Sequence, residues 1–219
     1  MPAASAATVH EPLLAALARP LQGLALRGEV RRYRKNTVLV QEGDHGDAAF
    51  VLLQGRVRVY SNDEDGREIT YGVVEAGDYF AEMCLDGGPR SASVVTLEPC
   101  VCSVVPRAAL RDYLASDPDF ALALVARVIR RAREATRQAR DLALKDVYGR
   151  LTSALESMRG SAPPGAAVCL EPLTHQVLAS RIGASREMVS RLLKDLERGG
   201  YVALGLRRIT LLRKLPARW

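Results

Sequence analysis

Leu173-Thr-His-Gln-Val-Leu-Ala-Ser-Arg-Ile-Gly-Ala-Ser-Arg-Glu-Met-Val-Ser-Arg-Leu-Leu-Lys-Asp-Leu-Glu197 predicts two short helices joined by a tight turn. Thr174 and Ser185 stand where a hydroxyl can accept from an otherwise orphan first-turn amide, so they are the expected caps of the two helices. Small Ala179 lets the helices cross closely, and Gly183 supplies the positive φ that a sharp turn between them demands. Val189, Leu192, Leu193 and Leu196 fall at i, i+3, i+4 and i+7, one stripe to be buried. The opposite face carries Arg186, Glu187, Ser190, Arg191 and Lys194. An Arg can donate two parallel bonds to guanine and a Glu can accept from cytosine N4, so this face suits the base edges of a major groove. A merely solvated helix of an ordinary helical domain is the plainer alternative, against which caps, small residue, glycine and charge placement all count.

On Ser185-Arg-Glu-x-Val-x-Arg191 the stretch resembles the helix-turn-helix of the bacterial catabolite-activator and fumarate-nitrate-regulator (CRP/FNR) family. The resemblance implies that Arg186, Glu187 and Arg191 read bases, with Thr174, Ser185, Ser190 and Lys194 also at the DNA interface. It further implies a homodimer on a palindromic double-stranded DNA site, its two recognition helices entering successive major grooves roughly 34 Å apart. RNA polymerase is the expected protein partner.

The charge distribution agrees with a nucleic-acid-binding end. Residues 147–219 hold 12 Lys/Arg against 5 Asp/Glu, whereas residues 1–146 hold 19 against 20, so the net +6 of this 219-residue chain sits with the helix-turn-helix. No run approaches the ~20 apolar residues of a membrane span, and the uncharged opening Met1–His10 lacks the basic start of a secretory signal, so a cytoplasmic location is expected. Cys84, Cys100, Cys102 and Cys169 form neither a CxxC pair nor a zinc pattern and read as buried structural thiols, and His10, His45 and His175 are too scattered for a ligand cluster. His175 is expected at the first turn of the leading helix as a surface or phosphate-facing residue. No catalytic nucleophile–base set, Walker loop or metal-ligand set occurs, so neither an enzyme nor a resident cofactor is expected.

From Gly28 to about Pro106 the character is that of short strands. Thr37–Val40, Ala49–Leu53, Arg56–Tyr60, Ile69–Tyr71 and Ser93–Thr96 are separated by Gly43, Gly55, Gly66, Gly77 and Gly87, the spacing of a barrel or sandwich. Asn62–Gly66 and Glu75–Asp78 are expected turns. Leu13–Leu26 reads as one or two short helices. Tyr79-Phe-Ala-Glu-Met-Cys-Leu-Asp-Gly-Gly-Pro-Arg-Ser-Ala92 looks like the phosphate-binding cassette of a cyclic-nucleotide-binding β-roll. On that resemblance Glu82 takes a ribose hydroxyl, Arg90 is the phosphate counter-ion and Ser91 a hydroxyl donor; Ala81 stands where the family has glycine. An ordinary ion pair closing a loop is the alternative for Glu82 and Arg90.

Asp117-Pro118 should open a long helix running to about Lys145, with Asp117 as cap and proline at the first position. Leu122, Val125, Ile129, Ala132, Thr136, Ala139 and Ala143 alternate steps of three and four, a heptad seam that predicts a parallel homodimer. Packing of that stripe on the β-roll is the alternative. Aligning Asp146-Val-Tyr-Gly-Arg150 with the family's domain junction puts Ala135 and Thr136 where cyclic-AMP receptors carry a Thr-Ser pair facing adenine. The neighbouring Arg130, Arg133, Arg137 and Arg140 could fork onto a larger anion, which makes cyclic di-GMP the alternative effector to cyclic AMP. A ligand-free or thiol-redox-responsive regulator is a further alternative. After the junction come a helix at about 147–159, a loop at 160–165, the helix-turn-helix and two strands around Gly205, a wing whose Arg207 and Arg208 would touch phosphate.

The expected class is α+β. A tail and short helix (1–27) precede a cyclic-nucleotide-binding-type β-roll, or jelly roll (28–116). A dimerisation helix (117–146) and a winged helix-turn-helix (147–219) follow.

Overall fold

A computed structural model describes residues 11–64, 68–163, 166–170 and 173–216. His10, Gly66, Pro164 and Gly165 lie outside the described residues, as does the rest of the opening decapeptide. The chain divides into two compact units, Met1–Ser61 with Tyr71–Arg130, and Asn62–Thr70 with Arg131–Trp219.

The first unit is a β-roll with helices on one side. Short helices α1 (Glu11–Ala15) and α2 (Arg19–Ala25) lead into β1 (Glu29–Tyr33), β2 (Val38–Val40), β3 (Ala48–Gln54), β4 (Arg56–Asn62), β5 (Glu68–Glu75), β6 (Asp78–Phe80), β7 (Ser93–Thr96) and β8 (Cys100–Pro106). One sheet has the order β1-β8-β3-β6 and the other β2-β7-β4-β5. In β3 alternate side chains serve two cores. Phe50 and Leu52 face the inter-sheet core with Val57, Val94, Phe80 and Cys102, whereas Ala49, Val51 and Leu53 pack under the helices with Leu24, Val105 and Leu110. Both faces are covered, so β3 reads as an apolar run rather than an alternation. At Gly77, φ of +87° makes the turn into β6, and its amide donates to the Leu52 carbonyl at 2.8 Å.

Helix α3 (Arg107–Ser116) follows β8 and packs Leu110 and Tyr113 inward. The long helix α4 spans Pro118–Leu144. Asp117 caps it through one carboxylate oxygen, which accepts from the Phe120 amide at 2.9 Å, while the other accepts from the Tyr113 hydroxyl at 2.9 Å. These bonds hold its carboxyl below the usual range, the amide of Phe120 contributing most.

In the second unit Asp146 caps α5 (Val147–Arg159), accepting from the Gly149 amide at 2.7 Å. Strand β9 (Val168–Leu170) precedes α6 (His175–Ile182), α7 (Arg186–Arg198), β10 (Val202–Gly205) and β11 (Arg208–Leu211), and the three strands pair antiparallel in the order β10-β11-β9. Leu151, Leu155, Leu178, Leu193, Leu196, Ile209 and Leu211 make the core. Arg159 is buried beside it and satisfied: its guanidinium donates to Glu156 at 2.8 Å, to the Ala166 carbonyl at 2.9 Å and to the Arg213 carbonyl at 3.2 Å. The Tyr148 hydroxyl donates to the Pro216 carbonyl at 2.8 Å, so the last described residues are tied to α5.

Candidate functional site

The helix-turn-helix is built as its residues dictate. Thr174 accepts from the Val177 amide and Ser185 from the Met188 amide, each at 3.2 Å. Gly183, at φ 61°, ends α6, and Ala179 is buried in the crossing. Val189, Leu193 and Leu196 are fully buried and Leu192 partly so, leaving Arg186, Glu187, Arg191 and Lys194 exposed together with half-buried Ser190 on the opposite face of α7. The turn is fixed to the junction by Arg150. Its guanidinium donates to the Ile182 carbonyl at 2.9 Å, to the Gly183 carbonyl at 3.4 Å, and to the Lys145 carbonyl just beyond α4 at 2.9 Å. One side chain thus satisfies carbonyls left over at two helix ends.

Beside α7 lies a concavity of roughly 610 Å³, lined by Thr174, His175, Gln176, Arg186, Leu206, Arg207 and Arg208 among others. The wing turn is the two residues Leu206 and Arg207, between Gly205 and Arg208, with Arg207 left-handed at φ 55°. The Leu173 amide donates to the Arg207 carbonyl at 2.8 Å and straps the wing to the entry of α6. The predicted contacts Thr174, Arg186, Arg207 and Arg208 therefore share one hollow, while Glu187, Arg191 and Lys194 continue along α7 outside its lining. Sequence reasoning missed that His175 Nδ1 lies 2.8 Å from Ser190 Oγ. The side chains are 15 residues apart, and only the crossing of α6 over α7 joins them. His175 is thus a partly buried member of the hollow. Burial, then the charges of Arg186 and Lys194, push its pKa down.

In the first unit the cassette residues converge on a short 3-10 helix, Glu82–Asp86. Glu82 is buried at its start, and Ala81 before it is left-handed, with φ 63° and ψ 21°. Arg90 donates to the Ala81 carbonyl at 3.0 Å and to the Ala48 carbonyl at 2.7 Å, and its guanidinium also acts on the Cys84 thiol. Gly46 faces it so closely that a Cβ would come within 2.6 Å of the guanidinium. Exposed Ser91 has its hydroxyl 3.2 Å from the Met83 sulfur. Glu82, Arg90 and the amides of a helix start can hold a ribose hydroxyl and a phosphate. Arg127 of α4 ties into the strand just before this cassette: it pairs with Asp78, donates to the Tyr79 carbonyl at 2.8 Å and lies 4.2 Å over the Tyr79 ring.

Ala135 and Thr136 are exposed on α4 in the other unit, where the Thr136 hydroxyl donates to the Ala132 carbonyl at 3.0 Å. Cys84, Cys100 and Cys102 are buried, and burial pushes all three thiols up, Cys102 to about 12, which suits packing rather than redox reactivity; Cys169 departs from the expected burial, being exposed in the middle of the three-residue strand β9. Among the described residues no His, Cys, Asp or Glu group could hold a metal ion, and no helix is long and apolar enough to cross a membrane.

Residues 30–117 match the family described as cyclic nucleotide-binding domain, and residues 149–214 match the Crp-like helix-turn-helix domain. The chain is 31% identical over 206 residues to the cAMP-activated global transcriptional regulator Vfr of Pseudomonas aeruginosa, covering 90% of this chain and 93% of the relative. It is 30% identical over 200 residues to a CRP-like cAMP-activated global transcriptional regulator of Mycobacterium tuberculosis, covering 90% and 86%. Among solved structures it is similar to the c-di-GMP responsive global regulator CLP of Xanthomonas campestris, at 25% identity and a TM-score of 0.75, over 90% of this chain and 99% of that one. A CRP/FNR-family transcriptional regulator from Thermus thermophilus is similar at 26% identity and a TM-score of 0.66, over 86% and 94%. With a β-roll, a long helix and a capped helix-turn-helix in one chain, and relatives matched over nearly its whole length, the protein belongs to the CRP/FNR family of DNA-binding transcription regulators.

Proposed function

We propose that the chain works as a cytoplasmic homodimer that binds a palindromic duplex through α7 and the wing, under control of a cyclic nucleotide held in the β-roll. The observation that carries this reading is the hollow where Arg186 of α7 and Arg207 and Arg208 of the wing meet beside a capped recognition helix. Arg186, Glu187 and Arg191 are the base readers, with Lys194, Arg207, Arg208 and the neighbourhood of Thr174 and Ser185 on the backbone. Ser190 was assigned to the same face, and its bond to His175 makes it a positioning residue.

In the roll, Glu82, Arg90 and Ser91 hold ribose and cyclic phosphate, and the resemblance assigns Ala135 and Thr136 to the base. Ligand is sensed through Arg127, which joins α4 to the strand leading into the cassette, and it biases a pivot at Asp146–Gly149 that sets the spacing of two recognition helices. It acts only through unequal affinity for two arrangements. RNA polymerase is the proposed partner once DNA is bound. Cyclic AMP is the effector this reading favours, as the names of the Pseudomonas and Mycobacterium relatives suggest. Similarity to a c-di-GMP responsive regulator, together with the exposed Arg130, Arg133, Arg137 and Arg140, supports cyclic di-GMP as the second reading.

Selection of bound duplexes from a random library, with and without each nucleotide, tests the proposal. A two-fold symmetric sequence with half-sites about 10 base pairs apart is expected. Recovery of no preferred sequence under any condition would overturn it. Calorimetry with cyclic AMP, cyclic GMP and cyclic di-GMP separates the effectors.

A further inference from the structure

The contact between His175 and Ser190 gives the proposed DNA interface a titratable member. His175 is the first residue of α6, just after the capping Thr174, and it lines the hollow with Arg186, Arg207 and Arg208. Its Nδ1 is occupied by Ser190 Oγ at 2.8 Å, and Nε2 has no hydrogen-bond partner among the described residues. The charged groups that act on the ring are Arg186 and Lys194 of α7, and the wing adds Arg207 and Arg208 to the lining of the same hollow.

We propose that His175 is a proton-linked phosphate ligand: as a duplex docks, the imidazole takes a proton from solvent and donates through Nε2 to a backbone phosphate while Ser190 holds Nδ1. This rests on the reading of the chain as a DNA-binding protein. A serine hydroxyl suits both states of the ring, since it can donate to a bare Nδ1 or accept from a protonated one. In the free protein burial and the surrounding cations favour the neutral ring. A phosphate anion reverses that balance, offsetting the cations and favouring imidazolium. The pKa of the bound state therefore lies above that of the free state, and affinity rises as pH falls between the two. Above both it is flat.

Fluorescence anisotropy with the selected duplex, between about pH 5.5 and 8.5, and calorimetry in buffers of different ionisation enthalpy provide the test. The wild-type dimer should tighten up to about a hundredfold per pH unit within the window, about tenfold for each protomer, take up one proton per docked protomer, and steepen its logarithmic salt slope by about 1.8 at the acid end. His175→Gln should bind with a flatter pH profile and lose that uptake, its affinity above the window showing that it folds. His175→Arg should bind tightly with an equally flat profile. Equal proton uptake by wild type and His175→Gln would overturn the inference while leaving DNA binding intact. Absence of duplex binding at every pH would overturn the DNA-binding reading and the inference with it.

Discussion

Ala81 occupies a conformation that alanine adopts reluctantly, with φ 63° and ψ 21° before the 3-10 helix of the cassette. A left-handed L-residue costs roughly 1–2 kcal/mol. Glycine would relieve this and return roughly 0.5–1 kcal/mol of it through the greater freedom of its unfolded chain. Ala81→Gly is therefore expected to stabilise the β-roll by about 0.5–1 kcal/mol, read as a higher urea midpoint at unchanged slope. The sequence shows that a glycine is missing here. It does not show that the backbone keeps the glycine conformation regardless, because the bond from Arg90 to the Ala81 carbonyl is a tertiary one. On the DNA side, Arg186→Ala should cost about 1–3 kcal/mol at one base position, measured as lost discrimination among duplexes differing at that pair. A uniform loss across all sequences would make Arg186 a phosphate contact.

The elements that could be read from the chain are those whose pattern is local. Helices α5, α6 and α7 carry their own caps and apolar stripes, and β3 carries a run of buried side chains. Others were hidden. Strand β1 is Glu-Val-Arg-Arg-Tyr, a charged strand that pairs, among the described residues, with β8, some seventy residues later. Strands β6 and β9 have three residues each, too few to show a period, and α3 starts after Pro106 with no side-chain cap to announce it. Arg150 is likewise legible as a motif residue but not as a brace, since its acceptors are carbonyls from two other elements. Arg150→Ala should destabilise the second unit by about 1–2 kcal/mol in denaturant titration, because two part-buried carbonyls lose a charged donor. Arg150→Lys should not restore it, as an ammonium cannot fork between helix ends.

At the scale of the molecule, the long helix presents an unpartnered seam. Leu122, Val125 and Ile129 are 68%, 54% and 46% exposed, so the stripe does not close onto its own chain in the way the alternative reading required. Val125→Asp combined with Ile129→Asp is expected to yield monomers in sedimentation experiments and to lose most affinity for a palindromic duplex while each half-site contact stays intact. A protein that remains dimeric with both charges in place would move the interface elsewhere. Segregation of basic charge into the last third of the chain is legible from counting alone, whereas the order of roll, long helix and DNA-binding end is legible from strand spacing, heptad periodicity and the motif resemblance. The proposed pairing between copies is written in the sequence only as a periodicity, because a single chain would hold half of it. A stop codon ahead of Arg213 would remove the Arg213 carbonyl from Arg159, the Pro216 carbonyl from the Tyr148 hydroxyl and Leu215 from the core, so shortening the polypeptide there would loosen the support beneath the recognition helix instead of trimming a dispensable tail.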